Sequence, residues 1–181
     1  MTSTLYVDSL IEKTSGNGVH IAGHILQCKS FDLSSRVVFS GSASNSYQNT
    51  GVQVSITPTS ADNTILVRLG VHGLSARLGG FHQEPDVAIA ANGTVVKEYN
   101  NIIKEGGSNF WIPAGSGNTV HFTSDYIHSP NTTDQQTYSI HIRGNTSLSG
   151  DMQVAINNVA AGNYAGQASG SSYITVMEIG Q

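Results

Sequence analysis

Hydrophobic and polar residues alternate with a period of two along much of the chain. The clearest segment is Ile65 to His72, in which four apolar side chains fall on one face and Arg68 and His72 fall on the other. This is the pattern of a half-buried β-strand. The same alternation recurs in residues 52–56, 138–143 and 152–156, and helical spacing is almost absent. The pattern therefore predicts an all-β protein.

The dipeptide Asn92-Gly93 separates two further alternating segments, Asp86 to Ala91 and Thr94 to Tyr99. Both turn positions accept a positive φ, so a two-residue type I′ hairpin is expected. Additional strands are expected at about 34–40, 109–112, 119–127 and 172–179, between loops rich in Gly and Ser. Many short strands with such turns predict a jelly-roll-like antiparallel β-sandwich. Without an internal repeat, solenoids, propellers and β-helices are disfavoured.

The first 27 residues cannot form a core of their own. Their apolar positions alternate loosely with polar residues around Gly16-Asn17-Gly18, and they are Leu5, Val7, Leu10, Ile11, Val19, Ile21 and Ile25. Short strands with so little apolar area stay ordered only when other chains cover them. We therefore expect an extended segment at residues 1–27, used for attachment and trimerisation, followed by a sandwich head at residues 28–181.

Composition limits the possible partners. Charged residues make up 11% of the 181 residues, against about 25% in ordinary soluble domains, so the surface is expected to be neutral and rich in hydroxyl and amide groups. A net charge of −4 with scattered Lys and Arg excludes the basic stripe that nucleic acid requires. The sequence shows no apolar run of 18 residues and no signal peptide, which predicts no membrane insertion and no secretion. Cys28 is the only cysteine, so stability is expected from oligomerisation rather than from disulfides.

Three segments carry a resemblance to a known family. They are "TLYVDSLIEKTSGNGV" followed by "GHILQ" at the start, "VQVSITPTSADNTILVRLGVHGL" early in the body, and "SSYITVMEIG" as the last strand. In this order they resemble the small fibre and spike proteins of tailed bacteriophages, especially aquatic phages and cyanophages. The likeness spans nearly all of residues 3–180. The body is similar to the jelly-roll heads of such fibres, which resemble the trimeric tumour-necrosis-factor and complement C1q type of sandwich.

This resemblance implies a homotrimeric virion protein of the tail-fibre, receptor-binding type, synthesised in the host cytoplasm and carried on an exposed appendage. The N-terminal segment would bind other virion proteins, and the head would adhere to a glycan or protein of the host surface. Three alternatives remain open at this stage: a capsid decoration or tail adaptor protein without receptor binding, a polysaccharide-cleaving enzyme, and a cellular C1q-like binding module.

The candidate chemistry is weak. His20 and His24 would lie about 13 Å apart on one face of a strand, too far apart to close a metal site within one chain. Some phage fibres hold iron with His-x-His, but this sequence has His-x-x-x-His. The carboxylates at positions 84, 86, 125 and 134 fit turn and capping roles, and neither a nucleophile elbow nor a P-loop occurs. We expect no cofactor, no metal and no catalytic activity.

Recognition by exposed loops remains the best interpretation. Aromatic rings that could hold a sugar are Tyr47, Phe81, Trp111, Tyr126 and Tyr164, although Phe110, Trp111 and Phe122 lie in strand-like segments typical of a core. The candidate receptor-binding residues are Tyr47, Tyr164, His128 and Asn131. Each of them fits an ordinary loop or interface position equally well.

Overall fold

The computed structural model describes residues 23–40, 46–78, 81–83, 85–100, 102, 120–144, 153–157 and 170–181. These residues form eleven strands: β1 (Ile25–Leu33), β2 (Val37–Ser40), β3 (Gln48–Ile56), β4 (Thr64–Leu78), β5 (Phe81–Gln83), β6 (Pro85–Ala91), β7 (Thr94–Tyr99), β8 (Val120–His128), β9 (Gln136–Gly144), β10 (Gln153–Ile156) and β11 (Ser172–Ile179). The described residues contain no helix long and apolar enough to cross a bilayer. The all-β prediction is confirmed. The strand expected at 109–112 and most of the N-terminal segment lie outside the described residues.

The strands form two antiparallel sheets that pack face to face. The first sheet has the order β1-β11-β4-β8, and β10, β2 and β5 extend it along the second half of β4. The second sheet has the order β3-β9-β6-β7. The chain passes repeatedly between the sheets, from β3 to β4, then to β6 and β7, back to β8, and on to β9 and β11. The two antiparallel sheets, of seven and four strands, form a sandwich with jelly-roll-like connectivity, as predicted.

Strand β4 is the longest element and organises the first sheet. Its inward side chains Ile65, Val67, Leu69 and Val71 are completely buried, as the alternation predicted. Its first half pairs with β11 and β8, and its second half pairs with β10 and β5. The register with β8 shifts between Val71 and Leu74, and Gly73 within this bulge has a φ of 55°. The bulge carries the chain from one set of partner strands to the next.

The core lies between the two sheets. Besides β4, it is built by fully buried aliphatic side chains and one Tyr from five strands: Val52, Ile56, Val87, Ile89, Tyr138, Ile140, Ile142, Val154, Ile156, Ile174 and Val176. Strand β6 is buried at all seven positions. Its outward positions are occupied by Asp86, Ala88 and Ala90, which are small side chains apart from one carboxylate.

The predicted hairpin at Asn92-Gly93 is confirmed. Asn92 has a φ of 49° and Gly93 a φ of 80°, the two positive values that a type I′ turn requires. The turn is also tied to β9, because the Asn92 backbone N–H donates to the Thr137 carbonyl at 2.9 Å and the Thr137 N–H donates to Asn92 Oδ1 at 2.9 Å.

Strand β1 crosses the domain boundary that the sequence predicted between residues 27 and 28. Ile25 begins the strand and pairs with Ile179 of β11. The backbone N–H of Gly23 donates to the Gly180 carbonyl at 2.7 Å, and the Gly180 N–H donates to the His24 carbonyl at 3.0 Å. Ile25, predicted as part of the attachment segment, is therefore a residue of the sandwich itself.

The strands run between two ends of the sandwich, which we call the near end and the far end. At the near end lie Gly23, the loop at residues 57–63, the 92–93 turn and the loop at residues 129–135, because Ile65 pairs with His128 and Ile56 pairs with Gln136. At the far end lie Tyr47, Arg143 and His72. The two ends are separated by roughly 23 Å, the length of seven steps along β9 at the usual rise.

Candidate interface and binding surfaces

The outward face of the first sheet carries an exposed apolar patch. Cys28, Met177, Leu66 and Ile127 lie in register across β1, β11, β4 and β8, and the paired residues Ile25 and Ile179 extend this row toward the near end. Ile127 is 60% exposed and Ile25 is 55% exposed. We call these six residues the apolar patch. Adjacent apolar side chains that reach solvent on a sheet face are typical of an interaction surface.

A polar row borders the apolar patch on the same face. Ser30, Thr175, Arg68 and Asp125 lie in register across the same four strands. Arg68 donates from Nε and Nη2 to the two carboxylate oxygens of Asp125, each at 2.9 Å. The hydrogen bond from Arg68 lowers the pKa of Asp125. Since the pair is exposed to solvent, it orients the two side chains more than it stabilises the fold.

Tyr47 lies at the far end, directly before β3, within a cluster of polar side chains. The Arg143 guanidinium carbon is 4.3 Å from the centroid of the Tyr47 ring, a cation–π contact. The Tyr47 hydroxyl donates to Asn100 Oδ1 at 3.1 Å. Arg143 Nε donates to Asp86 Oδ2 at 2.9 Å, and Glu98 lies 3.9 Å from Arg143 Nη2. The ring thus contacts Arg143 of β9, which is bound by Asp86 of β6 and lies near Glu98 of β7.

The electrostatics of this cluster keep the Tyr47 hydroxyl neutral. Burial raises the pKa of Tyr47 to about 12, and Glu98 and Asp86 add to the rise while Arg143 opposes it. Asp86 is completely buried, whereas the Arg143 side chain is 30% exposed. A buried carboxylate thus anchors a partly exposed guanidinium, a planar group suited to binding carboxylates and hydroxyls.

His128 and Asn131 lie together at the near end. His128 lies on the inward face of β8, and its Nδ1 is 2.8 Å from the Tyr138 hydroxyl in the core. Burial lowers the pKa of His128. Asn131 is exposed in the loop, has a φ of 53°, and donates from Nδ2 to the Ser129 carbonyl at 3.1 Å. His128 is therefore engaged by the core, and Asn131 shapes the turn.

The structure does not bring the predicted recognition residues into one surface. Tyr47 lies at the far end, while His128 and Asn131 lie at the near end beside the start of the described chain. Tyr164 and the N-terminal residues Leu5, Val7, Leu10, Ile11, Val19 and Ile21 lie outside the described residues. The contact of Tyr47 with Arg143 was missed from the sequence, because Arg143 appeared there only as the polar member of an alternating strand.

The carboxylates considered for catalysis occupy different parts of the fold. Asp86 binds Arg143 on the second sheet, and Asp125 binds Arg68 on the first sheet. Asp134 is exposed in the loop at residues 129–135, and Glu84 lies outside the described residues. In this arrangement Asp86 and Asp125 each neutralise an arginine.

Glu178 joins two segments noted in the sequence, "ITPTSADN" and the last strand. Its buried carboxylate accepts hydrogen bonds from Gln27 Nε2 at 2.6 Å, the Thr59 backbone N–H at 2.6 Å, the Thr59 hydroxyl at 2.8 Å and Asn63 Nδ2 at 2.7 Å. The segment "ITPTSADN" is thus held to the last strand by this carboxylate. Burial alone raises the pKa of Glu178, but these hydrogen bonds outweigh that effect and lower it.

No family model and no curated protein matches the chain. Two similar solved structures are the VP2 subviral particle of infectious bursal disease virus, at 10% identity and a TM-score of 0.41, and T=1 particles derived from that virus, at 11% identity and a TM-score of 0.34. Each match covers 96% of this chain but only 42% and 41% of the respective viral chain. Identities and TM-scores this low assign no family to the protein.

Proposed function

We propose that this chain is a structural and adhesive virion protein of the phage-fibre type, which assembles as a homotrimer and binds a host surface glycan or protein. The observation that carries this proposal is the apolar patch on the outward face of the first sheet. A free monomer would leave Ile25 and Ile127 more than half exposed beside Leu66, Met177 and Ile179. Covering this face with another copy removes apolar area from water, which is the main driving force for association.

The position of the apolar patch links it to the N-terminal segment. The described chain begins at Gly23, which is hydrogen-bonded to Gly180 beside the Ile25 and Ile179 pair. Residue 22 directly precedes Gly23, so the segment of residues 1–22 joins the described chain beside the patch. This segment carries six of the apolar positions predicted for assembly. One continuous contact between copies would bury the apolar patch together with these N-terminal apolar positions. The number of three chains comes from the resemblance to phage fibre heads.

If the N-terminal segment attaches to the particle, the near end faces the virion and the far end faces outward. Tyr47, Arg143, Glu98 and Asn100 then lie on the surface presented to a host cell. An aromatic ring with planar polar groups around it suits the hydroxyls and apolar faces of a sugar. His128 and Asn131 would lie close to the attachment point. We therefore place receptor contact at the Tyr47 cluster.

Charge placed in the apolar patch should dissociate the assembly. We expect the full-length chain to have the native mass of a trimer. Ile127→Asp should shift this mass toward the monomer, because a carboxylate buried in the contact loses its hydration and gains no partner. Native mass spectrometry, with light scattering over a range of protein concentrations, measures the effect.

Gln53→Asp is the matched control, because Gln53 is exposed on the second sheet, away from the patch. It should leave the mass unchanged. A monomeric wild-type chain, or a trimer that tolerates Ile127→Asp, would refute the proposed interface.

Adhesion is tested by substitutions at the two ends of the sandwich. Labelled full-length protein is incubated with a panel of bacterial cells and with immobilised bacterial surface polysaccharides. Where it binds, Tyr47→Ala should weaken binding about tenfold or more, since three equivalent sites multiply the loss in each. Asn131→Ala at the near end should not. Loss of binding only in Asn131→Ala would reverse the proposed orientation, and an intact trimer that binds nothing in the panel would favour a decoration or adaptor role.

A further inference from the structure

Two histidines meet on the outward face of the first sheet at the far end. His72 is on β4 and His121 on the neighbouring strand β8, and their ring centroids are 4.8 Å apart with an angle of 61° between the ring planes. His121 is exposed and His72 is half-buried. The sequence offered no signal for this pair, because 48 positions separate the residues and neither belongs to a recognisable metal motif.

The backbone of His72 is held from both sides. Its N–H donates to the Ser172 hydroxyl at 3.0 Å, and its carbonyl accepts from the Asn157 N–H at 2.7 Å. The residue lies within the β4 bulge, immediately before Gly73. Bulges are common where a strand must redirect a side chain next to a functional site. This bulge, with its fixed backbone, sets the direction of the His72 imidazole.

The surroundings leave room for the imidazole of His72. Gly170 has a φ of 152°, and a Cβ there would lie 3.3 Å from His72 Nδ1. The Tyr173 ring is centred 6.5 Å from the His72 ring and lies over Gly70. Gly170 and Tyr173 are therefore neighbours of the His72 ring, and His121 is its neighbour across the strands.

The spacing of the two rings matches that of two ligands of one metal ion. With a metal to nitrogen bond of about 2.0 to 2.1 Å, the centre of a bound imidazole lies about 3.2 Å from the metal. Two imidazoles at angles of about 90° to 110° then have centres about 4.5 to 5.2 Å apart. The observed 4.8 Å falls within this interval. Imidazole nitrogen is a preferred ligand of Zn²⁺, Ni²⁺ and Cu²⁺.

We propose that His72 and His121 bind one divalent transition-metal ion per chain. In the part of the chain that the structure describes, no group of three or more His, Cys, Asp or Glu residues could hold a metal. The proposed site takes its protein ligands from these two imidazoles, and water fills the remaining positions. The site stands independently of the proposed adhesive function, because it rests on the cross-strand pair and its braced backbone.

Titration of the untagged full-length protein with Zn²⁺ tests the proposal. We expect about one ion per chain, and an affinity that falls about tenfold or more in either His72→Ala or His121→Ala, because one ligand loses the effective concentration supplied by the other. The double variant should bind more weakly than either single one, because neither imidazole ligand remains. His24→Asn, at the near end, is the matched control and should retain the wild-type affinity.

Two further measurements make the test decisive. The electron paramagnetic resonance spectrum of bound Cu²⁺ should show two coordinating nitrogens in the wild type and one in each single variant. Thermal unfolding without metal identifies any variant that fails to fold, and His121→Ala changes an exposed residue, so it remains informative if His72→Ala is unstable. Wild-type affinity in His121→Ala, or in a folded His72→Ala, would overturn the site.

Discussion

Replacement of Asn157 by alanine is expected to lower the free energy of unfolding by about 3 kcal/mol. The Asn157 side chain is buried, donates to the Leu33 carbonyl at 2.7 Å and to the Ser35 carbonyl at 2.9 Å, and accepts from the Ser172 hydroxyl at 2.7 Å. Alanine leaves these groups unpaired. It must also adopt the φ of 52° that asparagine tolerates.

Asn131→Ala separates the two contributions to this loss. Asn131 has nearly the same φ, 53°, but it is exposed and donates one hydrogen bond. We expect it to cost only about 1 kcal/mol. Measured by thermal unfolding at a fixed protein concentration, the Tm of Asn157→Ala should be roughly 6 to 12 °C below that of the wild type. Equal losses in the two variants would show that backbone strain, and not the buried hydrogen bonds, sets the cost.

Glu178→Gln is expected to destabilise the fold by about 2 to 3 kcal/mol at neutral pH. A neutral amide accepts weaker hydrogen bonds than a carboxylate, and its NH₂ group faces donors that the carboxylate satisfied. Glu98→Gln, the same chemical change at an exposed side chain, should cost less than about 0.5 kcal/mol. Urea unfolding of the two variants and the wild type measures the difference.

The same substitution predicts a change in acid stability. The pKa of Glu178 is lower in the folded protein than its ordinary value, so its contribution is fully present above the unfolded pKa, near ~4.3, and is lost as the pH falls through the folded pKa. The wild type should therefore lose stability below about pH 4, and Glu178→Gln should lose less over that range. Parallel acid curves for the wild type and the variant would contradict this assignment.

The strands were predictable where one face of the strand is buried and the other face is exposed to solvent. Strand β4 shows this, with Arg68 exposed and His72 half-buried on its outward face, whereas β9 alternates in polarity although its outward residues Ser139 and His141 are also buried. The second half of β4 was not predicted, since the bulge at Val71 to Leu74 breaks the period. Strand β1 was assigned partly to the attachment segment, because an edge strand with many exposed positions shows a weak pattern.

The candidate surfaces were less predictable than the strands. Tyr47 was selected from its loop, but its contact with Arg143 depends on the pairing of β3 with β9. His72 and His121 meet only because β8 lies beside β4. Glu178 falls on the inward face of β11 by alternation, and a carboxylate there makes sense only once Gln27, Thr59 and Asn63 surround it.

The sequence by itself determined the all-β class, the period of most strands, the type I′ turn at Asn92-Gly93 and the apolar character of the N-terminal segment. These properties depend on local backbone preferences and on which side of a strand is apolar. Only the tertiary structure decided the order of strands in each sheet, the apolar patch, the two ends of the sandwich and the pairing of His72 with His121. Those features come from contacts between residues far apart in sequence, which the alternation of any single strand leaves undetermined.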